Sequence, residues 1–174
     1  MSDYGSGDAE LMIGLYALRT FVIRTFAFAE DDAPDLAEGL TDDDKVKRPR
    51  LSSVAISGAH WKDGCCLARC TRNPEHEAPA DQCACGIYAA NTVAALMAQY
   101  EKQASNLIAV IATQGLTVRG ETGLRTSAAR IVAYWIGNPD LDGSSLEAQV
   151  CKTDAPGARR YYDLDLMKKL YQLT

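Results

Sequence analysis

The spacing of hydrophobic and polar positions changes several times along the chain, and each change marks an element. From Leu11 to Phe28 the run LMIGLYALRTFVIRTFAF is dense in β-branched and aromatic residues, which suit a pleated, half-buried surface. Gly14 to Phe28 is expected to form one or two strands, and the mixed spacing leaves a helix open. LSSVAISG, from Leu51, alternates as a further strand does. In GIYAANTVAALMAQYEKQA, Ala90, Val93, Ala94, Met97 and Tyr100 recur every three or four positions, the period of a helix with one apolar face.

NLIAVIATQGLTVRG predicts a buried strand, a glycine-containing turn and more strand. LRTSAARIVAYWI is strand or short helix; Ile131, Val132, Tyr134, Trp135 and Ile136 favour strand, and Gly137-Asn138-Pro139 stops it. SSLEAQVCKTDAPG opens on a capping residue and ends in a turn. YYDLDLMKKLYQL predicts an amphipathic helix with Leu166, Met167, Leu170 and Leu173 on or near one face and Lys168 and Lys169 opposite.

The order of strands, helix, strands, helix predicts an α+β fold. The expected architecture is a small mixed or antiparallel sheet, open or closed into a barrel-like shape. In it a central helix follows the cysteine- and histidine-containing hairpin of residues 70–86, and a second helix lies at the C-terminal end. Residues 1–10 are expected to be a flexible leader and 11–174 a single domain. Within it, 30–50 forms a charged insertion, acidic first and then basic at Lys45, Lys47, Arg48 and Arg50. A solvated loop is the expectation for that segment.

Composition narrows the function classes. The 174 residues are 47% hydrophobic, enough for one ordinary core. The net charge of −5 argues against broad, sequence-independent nucleic-acid binding but leaves room for a local basic patch. No apolar run approaches the roughly 20 residues of a membrane span. The start, MSDYGSGDAE, lacks the basic and apolar parts of a secretory signal, so a cytoplasmic location is expected. There thiols stay reduced, and clustered cysteines more often bind metal than form disulfides.

The chemistry concentrates in CTRNPEHEAPADQCACG, residues 70–86. Cys70, His76, Cys83 and Cys85 offer three thiolates and one imidazole, a ligand set suited to tetrahedral zinc. Asn73, Pro74, Pro79 and Asp81 favour the turns that would bring the ligands together, and Gly86 lets the backbone turn beside a sulfur. The spacing differs from the paired-cysteine zinc motifs, so reduced buried thiols with a surface histidine remain the alternative. Cys65 or Cys66 could replace Cys70, although neighbours on a strand face opposite ways. Cys151 reads as a small buried apolar residue.

Trp61 to Gly64, LARC at 67–70, HEAP at 76–79 and CACGIYAA at 83–90 resemble a family of short proteins from actinobacteria and their phages. Its signature is W…G…A-x-C…H-x-x-P…C-x-C-G-I-Y-A. GLYALR at 14–19 is similar to the family's aromatic strand near its start, with Leu18 where the family has tryptophan, and GLRTSAA at 123–129 echoes a later glycine-arginine segment. The resemblance spans roughly residues 12–136. It implies a zinc-site scaffold at Cys70, His76, Cys83 and Cys85, in a gene of a mobile element or its host, and it supplies no reaction.

Catalytic patterns fail. HEAPADQCAC matches neither the zinc-deaminase spacing nor H-E-x-x-H, and GIY lacks the second element of a GIY-YIG nuclease. His60, near Cys65 and Cys66, reads as a packing residue. Trp61 and Trp135 read as core. No catalytic residue is assigned. The expectation is a zinc-stabilised accessory protein that acts by binding another protein, with modulation of a host process or defence system as the setting. Two alternatives stay open. One is a nucleic-acid-binding regulator using Lys45, Lys47, Arg48, Arg50, Arg119, Arg125 and Arg130. The other is a zinc-dependent hydrolase with Glu75 or Glu77 as base.

Overall fold

A computed structural model describes residues 4, 9–27, 47–55, 61–80, 82–137 and 143–174. The run from Leu11 forms two strands, β1 (Glu10–Arg19) and β2 (Phe21–Ala27). They are followed by β3 (Lys47–Ser53), β4 (Cys65–Leu67), β5 (Ile87–Ala90), α1 (Val93–Ala104), β6 (Leu107–Arg119), β7 (Gly123–Thr126) and β8 (Ala128–Ile136). The chain ends with α2 (Leu146–Asp154), β9 (Arg159–Tyr161) and α3 (Leu164–Leu170). Lys45, His60, Asp81, Asn138 and Pro139, most of the leader and most of the charged insertion lie outside the described residues.

The fold is α+β, with a mostly antiparallel main sheet in the order β1-β5-β7-β6-β8-β4. β9 joins it parallel to β8, and β1 pairs β6 as well as β5. The strands β1, β5, β7 and β6 therefore form a closed ring, sealed between β1 and β5 by the single pair Leu18–Ala90. β2 and β3 pair separately.

β6 is the strand on which the rest is assembled. Leu107, Ala109 and Ile111 enter one hydrophobic cluster with Phe21, Trp61 and Cys151. Ile108 and Val110 enter another with Leu96 of α1 and Met167 of α3. This is the period-two alternation of a strand buried on both faces. The predicted turn in this segment is absent: β6 runs through Gly115 without a break. A Cβ there would lie 2.1 Å from Ser127 Oγ, so the glycine permits close approach of the next strand pair rather than a reversal.

The central helix begins later than its apolar period predicts. Ile87–Ala90 is strand, because Ala89 and Ala90 pair with Leu124 and Gly123 of β7. Thr92 then caps α1, its hydroxyl accepting from the Ala95 amide at 3.0 Å. The buried side is also rotated from the expected stripe: Leu96 is inside, whereas Ala94 is exposed. Ser145 caps α2 in the same way, as its sequence predicts. On α3, Met167 is fully buried, but Leu166 and Leu170 stand 48% and 55% exposed. Trp61 is buried and meets Phe21 edge-to-face at 5.1 Å; Trp135 is half-buried.

One buried carboxylate ties α2 to β3. Asp154, at the end of α2, accepts from the Leu51 amide at 2.6 Å and from Arg50 Nη1 at 3.1 Å. Burial pushes its carboxyl above the ordinary value, against the opposing pull of the Leu51 amide and of Arg50.

Candidate metal centre

Between β4 and β5, the described residues from 68 to 86 form no helix or strand. A segment of that length without secondary structure needs another source of order. Here it has three. Its ends continue into strands, the Ala68 amide donating to the Ser127 carbonyl at 2.7 Å. Ala78 and Pro79 within it, joined by a cis peptide bond, are buried. The four sequence-predicted ligands close on one another at its centre.

The donor atoms of Cys70, His76, Cys83 and Cys85 all lie within 4.8 Å of one another. Cys70 Sγ is 3.6 Å from Cys83 Sγ, and Cys85 Sγ is 3.3 Å from His76 Nε2. With zinc–sulfur bonds of about 2.3 Å, neighbouring sulfurs of a tetrahedral site stand about 3.8 Å apart. The observed spacing is therefore close to that of a tetrahedral ligand set, and the four residues can hold a metal ion. All six cysteines are unpaired by disulfides.

The surroundings favour the thiolate at one corner. Cys70 Sγ accepts from the Asn73 amide at 3.3 Å, and this bond leads the effects that bring its thiol down to about 7, against the opposing effect of burial. Burial pushes the Cys83 thiol up, as do its contacts with the sulfurs of Cys70 and Cys85. A cation placed among these sulfurs would reverse that second effect, since it favours thiolate at every corner.

A buried arginine braces the loop. Arg125, on β7, is 5% exposed. Its Nη1 donates to the main-chain carbonyls of Ala80 at 3.0 Å, of Cys83, and of Cys85 at 3.4 Å. Gly86 leaves the loop at φ +127°, and a Cβ there would press on Arg125 Cβ at 3.2 Å and Pro79 Cβ at 3.4 Å. The glycine thus serves both the backbone turn and the seating of the arginine.

The choice among the neighbouring cysteines follows from which of them reach the cluster. Cys65 is exposed, Cys66 is buried, and neither joins the cluster, so Cys70 is its fourth member. Cys151 is buried in α2, where desolvation pushes its thiol up to about 12; it packs as an apolar residue. Glu75 and Glu77 flank the half-buried His76 on the exposed side.

Among the described residues, the cations expected to face an anion are spread apart. Arg125 is turned inward to carbonyls, which removes it from the surface set, and Arg50 is paired with Asp154. Arg48 is exposed on β3; the side chain of Lys47 is outside the described part, as is all of Lys45. Arg119 and Arg130 are both exposed. Arg130 pairs with Ala112, seven positions before Arg119 on β6, which separates them by about 20 Å along the strand.

Two arginines turned inward carry no clear mark in the sequence. The inward role of Arg125 has no signal beyond an arginine within an apolar strand pair. Arg19, half-buried at the end of β1, has the same signal: a charge set between Leu18 and Phe21 in an otherwise hydrophobic run. No family model, curated protein or solved structure matches the chain. Among the described residues, no helix is long and apolar enough to cross a membrane.

Proposed function

We propose that the chain is a zinc-stabilised binding protein that acts through a protein partner. The observation that carries this reading is the convergence of three sulfurs and one imidazole nitrogen within 4.8 Å. Soft thiolates with one imidazole favour zinc over hard cations, and four protein ligands leave no open coordination position of the kind a hydrolytic zinc uses. The bound ion would fix the segment 68–86 and, with it, the placement of β4 and β5. The setting this reading implies is an accessory role in an actinobacterial phage or its host.

A protein partner is favoured by the free side of β1. On one edge β1 pairs with β6 from Glu10 to Arg19; on the other, among the described residues, it makes the single pair Leu18–Ala90. Leu11 and Ile13 lie on that strand at 73% and 81% exposed. They pair with Leu116 and Gln114, so they share a sheet face with Tyr16 across a bulge at residues 14–15. Large exposed apolar side chains beside an unpaired strand edge suit an extended peptide segment that adds to the sheet.

Two measurements test the reading. Protein purified without added metal is expected to carry about one zinc per chain. Replacement by cobalt is expected to give the visible bands of a tetrahedral thiolate site. Zinc well below one equivalent, or an octahedral cobalt spectrum, would refute the metal assignment. For the partner, a protein retained by the native chain is expected to be lost from an Ile13→Asp variant and kept by Arg119→Gln. Equal retention by both variants would count against the β1 edge.

A further inference from the structure

A groove of about 690 Å³ opens beside the cysteine cluster. Among the described residues lining it are three arginines, Arg19, Arg69 and Arg72, and three tyrosines, Tyr4, Tyr88 and Tyr100, with no aspartate or glutamate. In a chain with 23 acidic and 18 basic residues, that local excess of positive charge is the reverse of the whole. A metal site of one divalent ion and three thiolates carries a single net negative charge, which leaves the arginines in excess.

Arg19 is the most constrained of the three. Its Nη2 donates to Ser53 Oγ at 2.8 Å and its Nη1 to the Tyr88 carbonyl. The guanidinium carbon stands 5.6 Å from the ring centres of both Phe21 and Trp61. No carboxylate of the described residues pairs with it, and its buried Nε has no hydrogen-bond partner. Only part of the fork of donors is used. Desolvating a guanidinium without a counter-charge is costly, and the neighbouring Cys66 does not supply one, since burial pushes its thiol up and keeps it neutral.

We propose that this groove binds a small organic anion, with its carboxylate or phosphate on Arg19 and its body among the three tyrosines. The volume is that of a small-molecule site rather than of a macromolecular interface. Arg69 and Arg72 are exposed and flank Cys70, where they would draw an anion toward the opening. The proposal does not depend on the identity of the metal or on the β1 edge.

The arginine–tryptophan contact provides the readout. In protein as purified, with its zinc content measured, a Trp135→Phe background leaves Trp61 as the reporting fluorophore. Adenosine monophosphate, inorganic phosphate and benzoate are titrated separately. A saturable change with a millimolar or tighter dissociation constant is expected from at least one. Response to phosphate and the nucleotide assigns a phosphate ligand; response to benzoate alone assigns a carboxylate. Arg19→Gln is expected to weaken binding at least tenfold, and Arg119→Gln, outside the groove, to leave it unchanged. Should Arg19→Gln fail to fold, Arg69→Gln with Arg72→Gln is expected to weaken binding several-fold, since both positions are exposed. No saturable response to any probe, or equal affinity in the groove variants, would overturn the proposal. A metal-loaded protein with no response refutes the anion site alone; a responsive protein without metal refutes the zinc reading alone.

Discussion

The sulfurs of Cys70 and Cys83 stand 3.6 Å apart. That is far beyond the roughly 2.05 Å of a disulfide bond and close to the edge of a metal–thiolate tetrahedron. Cys83→Ser and Cys85→Ser are each expected to abolish tight zinc binding and to lower stability by about 3 kcal/mol or more. For a chain of this size that corresponds to a fall in melting temperature of about 10 °C. Cys65→Ser, at an exposed position outside the cluster, is expected to stay within about 0.5 kcal/mol of the native protein. Calorimetry of metal-loaded samples separates these cases, and equal melting of Cys65→Ser and Cys83→Ser would remove the structural role of the site.

Arg125 supplies the loop with a second support that needs no metal. Arg125→Ala strips donors from the Ala80, Cys83 and Cys85 carbonyls and opens a cavity under Gly86. The expected cost is about 2–4 kcal/mol, with zinc affinity reduced about 10-fold to 100-fold because the ligands lose their positioning. Competition against a chromogenic chelator measures the affinity. Arg119→Ala, on the exposed end of β6, is the control expected to change neither quantity.

Asp154 gives a pH signature. Its folded-state carboxyl lies above the ordinary value near 3.8 because burial disfavours the charge. The folded state therefore holds the proton to higher pH than the unfolded state does. Stability from this group is fully present below about 3.8 and declines as pH rises toward the folded value. Asp154→Asn has no proton to lose, so the native protein is expected to lose stability relative to the variant over that range. Urea unfolding at a series of pH values checks the slope. A native protein that gains on the variant as pH rises would mean that Arg50 and the Leu51 amide outweigh burial.

Thiol reactivity is expected to follow the same geometry. With metal bound, iodoacetamide near pH 8 is expected to label the exposed Cys65 first, while Cys151, with its thiol pushed up to about 12, stays unlabelled. Addition of a strong chelator is expected to expose Cys70, Cys83 and Cys85 to labelling. Peptide mass spectrometry reads the order, and early labelling of Cys151 would contradict its burial in α2.

Much of the secondary structure was legible because its period is local. β1, β2, β6 and β8 are dense in residues that fit a pleated surface, and Ser145 stands where a helix start is expected. Errors fell where a distant partner decides the conformation. Ala89 and Ala90 favour helix by propensity, and β7 pulls them into a strand. Gly115 reads as a turn until Ser127 is seen against it. The four candidate ligands were legible from residue type and turn chemistry, and their convergence agrees with that reading. The arginines were not: nothing near Arg125 in sequence tells that its partners are carbonyls some forty positions earlier.

β6 has its two faces in different clusters and both edges paired for much of its length. A wall shared in this way ties the fate of each compartment to the other. Loosening of either would expose the opposite side of the same backbone, so the molecule is built to melt as one cooperative unit, and the amides of Ile108 to Ile111 should be among the last to exchange with solvent.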